Sequence, residues 1–345
     1  MVYFMKKTFL SFSLLGIVVF ITVLSCSKNY SNNSTVYSPQ SLNQLFAGLR
    51  STPQSLSVQA GRDTIIFGAN GTMLHFYTNS FKTASGTIIT SGTINLQLVE
   101  MYKAGDMIRN RATTMVSGQI LQSAGQVTID ATMNGQEVFA NVYGIGFKHG
   151  SSSNAPMAIY YGSTGNADSV ATWAQSDTTK QGTKVNGTRD SSLFWASNFP
   201  YFSFDSSTVF HWVNCDWFYS NDSPKVSVNV ILPDTSFHPR NTQIFLVLPF
   251  VSHVGAANDT LMKVLCSDRG GIAYTAATNT MELTSDGSSI IVPAGLHYEL
   301  VVITNKNGTY YYYSQAGVIP HNGLVATAAM STDSPGDIIA RLEGM

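Results

Sequence analysis

Apolar and polar residues alternate with period two along much of this chain, and turn residues break the alternation at short intervals. "GTINLQLVEMY" puts Ile94, Leu96 and Leu98 on one face and Thr93, Asn95 and Gln97 on the other. "QVTIDATM" repeats the pattern, with Val127, Ile129 and Ala131 against Thr128 and Asp130, and Asn134-Gly135 then turns into "QEVFANVYGIGF". Such alternation suits antiparallel strands with one face on a core and the other in water. "DTIIFGANGTMLHFY" reads as two strands around a Gly/Asn turn, and "KVSVNVIL" alternates Val226, Val228 and Val230. "TQIFLVLPFV" is a continuous apolar run, as in a strand buried on both faces. The clearest hairpin is "SSIIVPAGLHYELVVITNKNGTYYYYSQAG", where Asn307-Gly308 tolerates the positive φ of a tight turn. Ser334 as N-cap, Pro335 at the first helical position and Asp337 in the first turn predict one short C-terminal helix.

These elements divide into a strand-rich unit over residues 41–162 and a second over 199–345. The stretch 163–198 is polar and weakly periodic, so it reads as a connecting segment, although it holds Trp173 and Trp195. The expected fold is all-β, with two β-sandwich-like domains and the short C-terminal helix.

Residues 1–25 have a different character. Lys6 and Lys7 precede an uncharged apolar run that ends at Leu24, which together make an export signal. The run is at the low end of what spans a bilayer, so a retained membrane helix is the competing reading. Val23-Leu24-Ser25-Cys26 resembles the bacterial lipobox, in which the cysteine is acylated and becomes the first mature residue. That resemblance implies lipidation at Cys26. Several acyl chains make a stable anchor where one does not. The Ser- and Asn-rich tract 26–40 then reads as a flexible, disordered tether.

Composition agrees with export. Charged residues are 11% and apolar ones 44%, while Ser, Thr, Asn and Gly fill the surface. Glutamate occurs only at positions 100, 137, 282, 299 and 343, so good surface helix formers are scarce. The formal charge is −1, with no basic run, which argues against a nucleic-acid partner. Cys215 and Cys266 remain after export and could pair in an oxidising compartment, closing a loop worth roughly 4 kcal/mol. The alternative is a pair of buried thiols.

Local chemistry is sparse. "FHWVNCDWFY" at 210–219 holds His211 and Cys215, but four strand residues put them roughly 13 Å apart, too far to share a proton. The block reads more simply as aromatic strand residues packing between sheets, or as a Trp platform for sugar. The histidines at 75, 149, 211, 238, 253, 297 and 321 show no metal-ligand spacing, and "SDGSS" carries one carboxylate where a calcium loop needs several. No nucleophile elbow, phosphate loop or dinucleotide fingerprint is present, so no cofactor is expected. Glu100 and Asp106 read as strand-edge and turn residues. The run Tyr310–Tyr313 reads as two core-facing and two outward tyrosines.

"AGRDTIIFGANGTMLHFYTNSFKTASGTIITSGTINLQLVEMYKAGDMI" resembles the N-terminal β-domain of a group of uncharacterised exported lipoproteins of Gram-negative bacteria. Its core "GTMLHFYTNSF" is distantly similar to ZU5 domains, and "WVNCDWFY" resembles a segment opening the second domain of the same lipoproteins. The resemblance implies no reaction, and ZU5 domains are interaction modules. The function expected is therefore that of an outer-membrane lipoprotein on the periplasmic or cell-surface face. It would hold the membrane through its anchor and act as a non-catalytic binding or structural module for a glycan or envelope protein. The alternative is a polysaccharide or peptide hydrolase.

Overall fold

A computed structural model describes residues 46–116, 119–148, 157–163, 172–175, 201–219, 222–248, 264–266, 274–285 and 288–345. The signal, Cys26 and the tether lie outside these residues, as does most of 163–198. Gln40–Met345 form one compact unit.

The protein is mostly β, as the alternation predicts. The main strands of the first lobe are β1 (Gln54–Gln59), β2 (Thr64–Phe67), β3 (Met73–Phe76), β4 (Thr93–Met101), β5 (Gln119–Met133), β6 (Tyr143–Lys148), β7 (Ala158–Ser163), β8 (Thr172–Gln175), β9 (Tyr201–Ser207) and β10 (His211–Phe218). Those of the second are β11 (Lys225–Ile231), β12 (Thr242–Val247), β13 (Val264–Cys266), β14 (Thr280–Glu282), β15 (Ile291–Pro293), β16 (His297–Lys306), β17 (Thr309–Val318), β18 (Leu324–Thr327) and β19 (Ser331–Asp333). Two helices lie wholly among the described residues, α1 (Ala104–Asn110) and α2 (Pro335–Glu343).

In the first lobe a large sheet ordered β1-β4-β5-β10-β7-β8 faces a smaller one ordered β9-β6-β3-β2. Ile94, Leu96, Leu98, Val127 and Ile129 meet Leu74, Phe76, Ile145 and Phe204 between them. In the second lobe β14, β11, β15 and β18 face the sheet β13-β12-β16-β17-β19. Val228, Val230 and Leu324 pack there against Ile244, Leu246, Leu300 and Val302. The Asn307-Gly308 turn joins β16 to β17 with φ of 53° and 85°.

The sheets do not divide where sequence periodicity suggested. Strands β9 and β10, expected in the second domain, pair with β6 and with β5 and β7 of the first lobe. Thr172–Gln175, inside the expected connector, is itself a strand paired with β7. Alternation marks a strand but does not say which distant strand it pairs with, so a boundary at 199 had no physical support.

A third apolar layer lies between the lobes. Val99 and Met101 on the outer face of the large sheet, and Phe245, Val301 and Ile303 on the outer face of the second lobe, enclose Phe46, Leu49 and both helices. Ser334 Oγ accepts from the Asp337 backbone N–H at 3.1 Å, which makes it the N-cap of α2 as predicted. Gly105 lets α1 and α2 touch backbone to backbone, because a Cβ there would sit 1.7 Å from the Leu342 carbonyl oxygen. Gly105→Ala is expected to cost about 1–3 kcal/mol through overpacking. Faster amide exchange throughout α2 should accompany it. Unchanged protection of α2 would show that the helices are not locked at this point.

Candidate functional site

Five adjacent strands of the large sheet contribute to one cross-strand row. Val99 on β4 opposes Thr128 on β5, which opposes Trp212 on β10, which opposes Gly162 on β7. Gly162 in turn opposes Trp173 on β8. This row lies on the face away from the first-lobe core, and its β4 to β7 part floors a cleft of about 810 Å³. One wall is the segment Arg50–Pro53, and Asn110 at the end of α1 also lines the cleft. Arg109 Nε donates to the Leu49 carbonyl at 2.8 Å, and Asn110 Nδ2 donates to Ser51 Oγ at 3.0 Å, so α1 holds that wall in place.

The two tryptophans lean over the glycine between them. Their rings meet edge to face, with centroids 6.0 Å apart and planes at 82°. A Cβ on Gly162 would come within 2.7 Å of Trp212 Cβ and 2.8 Å of the Trp173 ring, so only glycine fits. Trp173 is buried, and its Nε1 donates to the Thr113 carbonyl. Trp212 is partly buried, packed against both the layer between the lobes and the Trp173 cluster, and its remaining exposed surface lines the cleft.

His211 sits at the mouth of the cleft with φ of 67°, an uncommon conformation for a residue with a side chain. Its Nδ1 lies 2.8 Å from Asp130 Oδ1 and its Nε2 lies 3.3 Å from Glu137 Oε1. The hydrogen bond that its Nδ1–H donates to Asp130 is the main cause that holds the imidazole above its ordinary pKa, against the opposing effect of burial. Both ring nitrogens are engaged, so in the protonated form both donate and neither is free to take a proton from a substrate.

Behind the cleft floor the next row on the same face is polar but buried. Met101, Gln126, Asn214 and Tyr160 oppose one another in turn. Gln126 Nε2 donates to the Thr113 carbonyl at 2.9 Å, and Ser123 Oγ donates to Asn214 Oδ1 at 2.9 Å. Asn214 Nδ2 donates to Asp216 Oδ2. A bulge at Gly125 (φ 142°), where the pairing register shifts between Cys215 and Asp216, leaves Ser123 opposite Asp216. Asp216 is fully buried, and burial raises its carboxyl pKa to about 7.

The residues singled out in the sequence are dispersed. Cys215 is a free thiol that points into the first-lobe core, and burial raises its pKa well above the ordinary value. The candidate pairing with Cys266 is therefore not formed, and Cys266 lies on β13 of the other lobe. Tyr311 and Tyr313 pack on the second-lobe core and Tyr310 and Tyr312 on the layer between lobes, so the tyrosine run offers no open platform. Asp106 lies in the first turn of α1, and Glu100 is buried rather than at a strand edge. Cys26 lies outside the described residues. Among the described residues no group of three or more His, Cys, Asp or Glu side chains is placed to hold a metal ion.

The pairing of His211 with Asp130 and Glu137 escaped sequence reasoning, because those carboxylates lie about 80 positions away in the chain. Arg50 and Gly162 carried no local signal, whereas the alternation of Trp212, Asn214 and Asp216 along one strand was readable. No protein-family model matches this chain, and no curated protein sequence does.

Proposed function

We propose that this chain is a lipid-anchored cell-envelope protein that acts as a non-catalytic binding module for a glycan or an envelope protein, with the cleft over Trp212 as its binding site. The observation that carries this reading is the cleft's make-up. A packed aromatic ring, hydroxyl and amide groups and one charge of each sign (Arg50 and Asp130) line it, and its imidazole has both nitrogens occupied. Such a surface recognises by stacking and hydrogen bonding. A glycan array and proximity labelling on cells, each comparing wild type with Trp212→Ala, test it. Loss of the captured ligand in the variant is expected, and identical capture by both would remove the cleft from the account.

The anchor rests on Val23-Leu24-Ser25-Cys26 following the apolar run. Cys26→Ser is expected to abolish acylation and change fractionation with membranes. Identical fractionation, with no lipid on Cys26 by mass spectrometry, would refute the anchor.

A second reading, hydrolysis of polysaccharide or peptide, draws on Asp130 and Glu137, two carboxylates brought together at His211. Turnover abolished by Asp130→Asn or Glu137→Gln would establish it and displace the non-catalytic reading.

A further inference from the structure

The cleft crosses the face of a sheet, not its edge. Val99, Thr128, Trp212 and Gly162 belong to strands already paired on both sides, so their backbones offer no free ladder to an extended peptide. The floor from β4 to β7 covers three strand spacings, roughly 14 Å, which suits a short chain of rings better than one ring. Its charges nearly balance. Among the lining residues Arg50 stands against Asp130, and His211 is tied to Asp130 and to Glu137 beside the cleft, so neither a polyanion nor a polycation meets a complementary field. Hydroxyl and amide groups of Ser51, Thr128 and Asn110 provide most of the remaining polarity.

We infer that the cleft binds a neutral oligosaccharide, with one pyranose ring stacked on Trp212 and its hydroxyls bonded to the Arg50 and Asp130 sides. Sugar rings present C–H faces to an aromatic plane and hydroxyls at their rims, which matches an apolar floor between polar walls. The Trp173 ring behind Trp212 fixes the stacking plane before the ligand arrives, which lowers the ordering cost of binding. Gly162 sets that plane, since any side chain there presses on the Trp212 Cβ and on the Trp173 ring. This inference rests on the cleft being the binding site proposed above.

The test titrates the full-length protein in detergent with short oligomers of three kinds. Glucose and N-acetylglucosamine oligomers are neutral, galacturonate oligomers are anionic, and glucosamine oligomers are cationic. Calorimetry and tryptophan fluorescence provide the readouts. A neutral oligomer is expected to bind with a change in tryptophan emission. Trp212→Ala should weaken it at least tenfold, and Arg50→Ala, at an exposed position, should weaken it several-fold without shifting the melting temperature. Gly162→Ala should weaken it by pressing on both tryptophans. Tighter binding of a charged oligomer than of any neutral one would overturn the ligand class. Neutral binding unaffected by both Trp212→Ala and Arg50→Ala would overturn the site. If no oligomer binds while cells still yield a Trp212-dependent protein partner, the sugar inference fails and the binding-module reading stands.

Discussion

Asp216→Asn is expected to stabilise the protein at pH 8 and to flatten its stability profile between about pH 4 and 7. The carboxyl group is fully buried and its pKa is raised from 3.8 to about 7 by desolvation, against the lowering influence of neighbouring Ser123 and of the hydrogen bond from Asn214 Nδ2. The folded state therefore holds a proton that the unfolded chain releases throughout that interval. Linkage then gives the sign. The contribution is fully present below the ordinary carboxylate range, falls as pH rises, and is lost once pH passes the folded-state value. The full swing is on the order of 4 kcal/mol. An asparagine amide has the shape of the protonated acid and can still accept from Asn214 Nδ2, so the variant keeps the contact without the charge. Urea unfolding at pH 4, 6 and 8 measures this. His211, whose pKa is also raised, lends wild type and variant alike a stability that fades with rising pH, so the difference between the two profiles isolates Asp216. Parallel profiles would mean that Asp216 keeps an ordinary pKa in the folded protein.

The elements that periodicity announced were legible because a strand's two faces are written in its own residues. Ile94, Leu96 and Leu98 point inward as the alternation requires, and the cap at Ser334 needs only its neighbours. Pairing partners are set across long sequence distances, so nothing local assigned β10 to the first lobe. The covered outer face did leave a trace. Along β4 the positions opposite the core run Thr93, Asn95, Gln97 and then Val99 and Met101, all exposed before the switch and buried after it. That change from polar to apolar on one face marks where another layer docks, and the cleft opens beside it. The deeper polar row gave a weaker signal, because Gln126, Asn214 and Asp216 look like solvent-facing positions until something covers them.

Glu100→Ala is expected to destabilise the protein by roughly 3 kcal/mol or more and to free the turn between β2 and β3. The reason is where the side chain's oxygens lie. Oε1 accepts the Thr72 backbone N–H at 2.8 Å, and Oε2 accepts the Asn70 N–H and Gln54 Nε2, both at 2.7 Å. A residue on the large sheet thereby captures the turn that joins two strands of the facing sheet, tying the first-lobe sandwich together at one edge. Gly68 starts that turn, and a Cβ there would meet the Glu100 carboxyl carbon at 2.5 Å, so the turn closes tightly onto the carboxyl group. Alanine leaves the two backbone donors without their acceptor and opens a void beside Gly68, two separate costs. Gln97→Ala on the same strand is the control. It removes an exposed hydrogen bond with Ser55 and should cost less than about 0.5 kcal/mol. Chemical denaturation gives the energies, and amide exchange at Asn70 and Thr72 locates them. A loss of stability without faster exchange at those two amides would place the role of Glu100 elsewhere in the fold. Equal costs for the two substitutions would show that the captured turn adds nothing beyond an ordinary surface contact.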